Sequence, residues 1–186
     1  MKRLFDVALA VVLGLMALLP CLGIAILVRA TSRGPALYWS ERVGQDNRLF
    51  RMPKFRSMLV GTPAVATHLL THAHSRITPI GAFLRKSSLD ELPQLWSVLR
   101  GDMSFVGPRP ALYNQDDLIF LRIERGVHRL KPGITGWAQI NGRDELPIAE
   151  KVGLDSEYLK HQSLSFDMKI LWLTVSRVLR SEGVSH

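Results

Sequence analysis

The segment Ser87-Ser88-Leu89-Asp90-Glu91-Leu92-Pro93-Gln94-Leu95 places two adjacent carboxylates just ahead of a proline. Ser88 and Glu91 have capping-box spacing, in which a serine caps a helix start and the glutamate bonds back to it. That structural account covers Glu91. It leaves Asp90 unexplained, and also Pro93, which costs a helix hydrogen bond unless it lies in the first turn. The spacing predicts two carboxylates at a helix start, where the positive helix end and free N–H groups favour ionised acids and can also hold phosphate. An ionised Asp90 could attack phosphorus to give an aspartyl-phosphate type of intermediate. Glu91 could bind Mg2+, with Asp90 as the second oxygen donor, and so offset the charge of a pyrophosphate. A carboxylate approaching a dianionic pyrophosphate is repelled unless cations stand by. Lys54, Arg85, Arg109 and Arg143 are the cations that neighbouring segments and loops supply. An Asp-Glu dipeptide alone is common, so this reading depends on the rest of the chain.

Several elements must position these groups. Residues 80–100 read as helical with an interruption near Ser87-Ser88, ended by Gly101, with Arg100 suitably placed at the negative helix end. Pro108-Arg109-Pro110 is rigid and non-helical. Residues 36–43 and 49–58 read as two strands or a hairpin around Gly44-Gln45-Asp46-Asn47. Residues 118–130 have amphipathic helical spacing, with Leu118, Leu121, Val127 and Leu130 apolar and Arg122, Arg125 and Arg129 basic. Residues 131–143 form a loop rich in glycine and proline. Residues 163–180 carry Leu164, Met168, Leu171, Trp172, Val175, Val178 and Leu179 on a helical pattern. That helix suits either a membrane surface or an ordinary core. His68, His72 and His74 include an i, i+4 pair, but no cysteine or paired acid completes a metal cluster, so a polar surface segment is expected.

Residues 7–28 contain no charge. As a helix at about 1.5 Å per residue they reach ~33 Å, enough for a ~30 Å hydrocarbon core. Lys2 and Arg3 precede the block, and Arg29 and Arg33 follow it. Positive charge marks the cytoplasmic side, and here both flanks carry it. A helix that bends at Pro20 and returns to its own face satisfies both flanks, and Asp6 could then pair with Arg3. A straight transmembrane anchor is the rival. A cleaved signal ending at Cys21 fits poorly, because the apolar run continues past that residue. Cys21 is the single cysteine, so no disulfide framework forms within the chain.

At 186 residues the chain has the length of one ordinary domain. Its 24 basic against 16 acidic residues favour anionic partners. A nucleic-acid binder accounts for the charge but not for the apolar block, and no recognition motif is present. A catalytically inert membrane scaffold accounts for the block and the amphipathic helices. It predicts that Asp90→Asn changes no activity.

The sequences KFRSM (54–58), RKSSLDELPQLWSVLRGDMSFVGPRP (85–110) and KPGITGWAQINGR (131–143) resemble the signature segments of the bacterial sugar transferases. These are the small monotopic polyprenyl-phosphate phosphoglycosyl transferases. The resemblance covers nearly the whole chain, whose length is that of minimal members. It implies an α+β fold, mostly helical, with an N-terminal re-entrant membrane helix (1–33). A catalytic domain (34–186) follows, with a small β-hairpin and amphipathic interfacial helices. It implies transfer of a sugar-1-phosphate from a UDP-sugar to a polyprenyl phosphate such as undecaprenyl phosphate, at the cytoplasmic face of a bacterial inner membrane. Asp90 would attack the β-phosphate and expel UMP, and Glu91 would assist Mg2+. Arg109 would contact the nucleotide or its phosphates, and Lys54, Arg85, Arg143 and Asp167 would stand at the site. The departure is residues 61–68, which carry few charges where relatives often carry several. The sugar is unspecified, and a homodimer is left open.

Overall fold

The computed structural model describes residues 1–65, 73–142 and 146–179. It is an α+β fold dominated by helices. Strong helix formers (Leu, Ala, Val, Ile) fill α1, Lys2–Thr31, which runs through Pro20 without interruption. Its end is closed by Thr31 Oγ1, which donates to the Leu27 carbonyl, and by Ser32 Oγ, which donates to that of Val28. Only Asp6, Ala10, Ile24 and Val28 of α1 are buried. Leu15, Met16, Leu18, Leu19 and Leu22, between those two buried pairs, stand exposed.

Both ends of α1 rest on the remainder of the chain. Ile24 and Val28 pack with Phe55 and Leu84, and Ala10 joins the main core with Val98, Met103 and Phe105. The expected Asp6–Arg3 pair is not formed. Asp6 is buried and accepts from Ser104 Oγ at 3.1 Å and Phe105 N at 3.2 Å. Arg3 instead donates to the Val98 and Leu99 carbonyls. A buried carboxylate gains more from two aligned donors than from a cation in water.

The hairpin forms as expected. β1, Leu37–Val43, and β2, Leu49–Phe55, pair antiparallel with Leu37 opposite Phe55. Asp46 and Asn47 at the turn adopt positive φ, which their short polar side chains tolerate. β2 stops at Phe55 rather than Met58. Arg56 is buried and turns its guanidinium to the Ser32 carbonyl and hydroxyl at 3.0 and 2.8 Å. Leaving the sheet there lets the chain cap the exit of α1.

The interruption expected near Ser87-Ser88 is present. α2, Gly81–Lys86, is followed by a 3-10 turn, Leu89–Gln94, and by α3, Leu95–Arg100. Gly101, at φ +95°, ends α3 in the left-handed region as expected. α4, Asp116–Glu124, is shorter than expected because Gly126 takes φ +71° and turns the chain before the 3-10 turn Val127–Arg129.

Residues 131–143, expected as a loop, hold more structure than that. β3, Ser104–Val106, and β4, Gly133–Thr135, form a two-stranded parallel sheet, and α5 spans Trp137–Ile140. A Cβ on Gly133 would stand 2.1 Å from Gly107 N, so only glycine allows this close approach. α6, Ile148–His161, falls where the sequence reading assigned no element, and α7 spans Leu164–Leu179.

Candidate active site

The 3-10 turn places Asp90 and Glu91 beside β2. Ser88 sits at φ +56°, and its side chain caps nothing. The capping box is therefore not formed, because Glu91 has stronger partners elsewhere. Its Oε1 takes Lys54 Nζ at 2.7 Å and Arg109 Nη2 at 3.0 Å. Burial by itself pushes the Glu91 carboxyl up, but Lys54 and Arg109 outweigh it and hold the group well below the usual carboxylate range. Glu91 is a fixed anion.

Asp90 behaves in the opposite way. It is 8% exposed, and burial pushes its carboxyl up to about 6. Lys54 pulls that value down, Glu91 pushes it up, and Arg85 and Arg109 pull it down. Two neighbouring acids are thus driven apart, one always charged and one tuned close to neutrality.

Four of the expected residues converge here with Asp90, namely Glu91, Lys54, Arg85 and Arg109. Lys54 comes from β2 and Arg85 from the last turn of α2. Arg109 stands between two prolines, and its carbonyl accepts from Arg122 Nη1 at 2.8 Å. Arg122 also bonds Asp155 Oδ2 through Nε at 3.0 Å and Nη2 at 2.7 Å. Sequence reading grouped Arg122 with Arg125 and Arg129 as the basic residues of an amphipathic helix, whereas the structure buries Arg122 with Asp155. Arg122 follows Leu118 by four positions, which puts both on one helix face. That spacing was the available signal.

Asp167 lies apart from this cluster in its bonding. It is buried on α7 and accepts from Lys2 Nζ at 2.5 Å and from Tyr158 Oη at 2.6 Å. Lys2 also donates to the Val106 carbonyl at 3.1 Å, so this group ties the start of α1 to β3 and α7. Burial, with help from Asp167, drives the Tyr158 hydroxyl upward, so it remains a donor. Arg143, His68 and His72 lie outside the described residues.

No group of three or more His, Cys, Asp and Glu side chains gathers among the described residues. The oxygens suited to a divalent cation at the site are those of Asp90 and Glu91. Lys54 and Arg109 both meet Oε1 of Glu91. Two carboxylates fit an ion that keeps several waters and takes its remaining ligands from phosphate.

The surroundings give the cluster a boundary. Leu89 and Leu92, on either side of the acids, pack on the group formed by Ile24 and Val28 of α1. On α7, Leu164, Met168, Trp172 and Val175 form an exposed stripe, with Trp172 72% exposed. Asp167 and Ile170 are buried on the opposite face. Phe166, Leu171 and Leu173 of the same helix pack against the main core, so α7 carries a core-facing apolar side as well as the exposed stripe.

An acid pair framed by cations thus stands beside a long helix with an exposed apolar middle. Residues 1–181 match the bacterial sugar transferase family, and the chain belongs to it. It is similar to the undecaprenyl-phosphate glucose phosphotransferase of Komagataeibacter xylinus, 43% identical over 98% of this chain and 36% of that one. It is similar to the UDP-galactose-lipid carrier transferase of Erwinia amylovora, 40% identical over 98% of this chain and 41% of that one. It also resembles the uncharacterized sugar transferase EpsL of Bacillus subtilis, 41% identical over 100% of this chain and 91% of that one. The chain therefore spans roughly two fifths of the first two relatives and nearly all of the third.

Proposed function

We propose that this chain transfers a sugar-1-phosphate from a UDP-sugar to a polyprenyl phosphate, such as undecaprenyl phosphate, with release of UMP. The observation that carries this reading is the seating of Asp90 and Glu91 between Leu89 and Leu92, which pack on α1. The acids are thereby within reach of a soluble donor and of a lipid-borne acceptor. The names of the relatives supply the substrate classes.

In the first step an Asp90 oxygen attacks the sugar-bearing phosphorus. The bond to the bridging pyrophosphate oxygen breaks, and UMP leaves with that oxygen. The sugar-1-phosphate is then held on Asp90 as an acyl phosphate. In the second step an oxygen of the polyprenyl phosphate attacks the same phosphorus, the bond to Asp90 breaks and the free carboxylate returns. The product is a polyprenyl diphosphate sugar. Burial makes Asp90 more basic than an ordinary carboxylate and hence a better nucleophile once ionised. Arg109, Arg85 and Lys54 lower the repulsion between the anions. Arg143 and Asp167 belong to the same proposal, Arg143 toward substrate and Asp167 as the support of the base of α1. Mg2+, held by Asp90 and Glu91, would neutralise charge on the pyrophosphate.

The membrane placement is part of the reading. Residues 1–33 enter the bilayer and return to the cytoplasmic face of a bacterial inner membrane, where residues 34–186 work. Two facts support it. α1 is long and apolar enough to span a hydrocarbon core, and both its ends are tied to the remainder of the chain, by Arg3 at the start and by Arg56 to Ser32 at the exit. A body of that kind cannot flank both sides of a hydrocarbon core.

The test is UMP release from a panel of UDP-sugars with undecaprenyl phosphate and Mg2+, wild type against Asp90→Asn. Release from at least one sugar by the wild type alone is expected. No release from any sugar, or an unaltered Asp90→Asn, overturns the proposal. Tags at the two ends of α1 should be accessible from the same side.

A further inference from the structure

Lys131 opens the Lys-Pro-Gly stretch and takes no part in the acid cluster. Its Nζ stands 3.8 Å from where a Cβ on Gly101 would lie, and Arg3 Nη2 stands 3.4 Å from the same point. Two cations thus converge on one glycine. Arg3 is held there by the Val98 and Leu99 carbonyls at the end of α3. Lys131 is carried there by the neighbouring Pro132, whose carbonyl accepts from Ser104 N at 2.9 Å. The adjacent acid, Asp102, is turned to Arg100 Nε at 3.3 Å. Arg100 and Asp102 line a cleft with Arg51 and Glu41, which holds charges of both signs. Among the described residues Lys131 has no ion pair.

The carbonyls at the negative end of α3 favour both cations, and an anion between them would offset the repulsion that remains. Arg3 also lies one turn ahead of the uncharged run 7–28 of α1, and a basic residue beside a membrane-embedded segment attracts anionic headgroups. Asp90 and Glu91 are before the start of α3, whereas Gly101 is after its end. The two sites therefore occupy opposite ends of that helix.

We propose that Arg3 and Lys131 clamp the phosphate of an anionic lipid headgroup at the entry of α1, apart from the acid pair. The guanidinium supplies directional donors and the ammonium a mobile point charge. The inference rests on α1 lying in the membrane. It does not require the transfer reaction.

The experiment follows thermal unfolding of the full chain in nonionic detergent with added dioctanoyl phosphatidylglycerol, dioctanoyl phosphatidylcholine or inorganic phosphate. Phosphatidylglycerol is expected to raise Tm saturably and more than phosphatidylcholine, with an effect that shrinks as salt is added. Lys131→Gln should raise the half-saturating concentration roughly fivefold, the worth of about 1 kcal/mol for one lysine near an anionic surface. Lys131→Arg should restore it. An equal response to both lipids, or a phosphatidylglycerol response indifferent to salt in the wild type, overturns the clamp. So does an unchanged half-saturating concentration in Lys131→Gln. Inorganic phosphate matching phosphatidylglycerol at equal concentration assigns the site to a free anion and removes the lipid. UMP release measured on the same wild-type sample separates failure of the clamp from failure of the transferase reading.

Discussion

Lys54 Nζ stands 2.7 Å from Glu91 Oε1 and joins the end of β2 to the turn that carries Asp90. Arg109 reaches the same oxygen at 3.0 Å from a third part of the chain. One glutamate oxygen thus gathers three segments, and its neighbour Asp90 is left as the acid that can change its charge. Replacing Glu91 by Gln should scatter both cations. UMP release should fall by about 10^2-fold, the usual scale for losing preorganised charge at a reacting centre. An initial-rate comparison at saturating UDP-sugar checks this.

In the proposed first step Asp90 has to be ionised, and its carboxyl is raised to about 6. The rate should therefore fall below about pH 6, with a slope of one proton. Lys54 lowers the Asp90 value, so Lys54→Met should move that limb to higher pH. A pH–rate profile of both proteins is the measurement. A limb that stays put in Lys54→Met would contradict the assigned coupling.

The same shift bears on stability. Asp90 binds its proton more tightly folded, near 6, than at its ordinary value of 3.8. Ionised Asp90 thus destabilises the fold above about pH 6, by up to about 3 kcal/mol, and the penalty disappears below 3.8. Asp90→Asn should raise Tm in detergent by several degrees at pH 7.5 while lowering turnover by at least about 10^3-fold. The gain should vanish near pH 4. A lower Tm at pH 7.5 would argue against burial as the cause of the shift.

Lys2 and Asp167 connect the first turn of α1 to α7. Removing one partner leaves a charge stranded on a nearly buried group, so Lys2→Met should cost roughly 2 kcal/mol of unfolding free energy. Lys2→Met with Asp167→Asn should cost less than the two single changes summed. A double-mutant cycle by denaturant titration reads the coupling directly.

Arg122 serves Arg109 through the backbone. Arg122→Lys retains the charge but loses the fork that reaches Asp155 and the Arg109 carbonyl together. KM for the UDP-sugar should rise several-fold while the fold survives. Circular dichroism together with steady-state kinetics checks both halves of that expectation.

Local residue patterns were enough to read the hairpin, the break at Ser87-Ser88, the stop at Gly101 and the apolar run of α1. Each depends on neighbours in sequence, on a turn residue or on a period. The acid pair and its motifs were legible in the same way, and the motifs brought Lys54, Arg85 and Arg109 with them. Which of Asp90 and Glu91 is the fixed anion was not legible, because it depends on side chains arriving from β2 and from the Pro108-Pro110 segment. The β3–β4 sheet was hidden because its strands are three residues long and pair in parallel across a long separation. α6 was hidden because its buried face includes Asp155, whose partner Arg122 lies on α4. Asp6 and Asp167 became internal anchors for the same reason. A charge can be buried only where a distant donor comes to meet it, and the meeting is made by the tertiary fold.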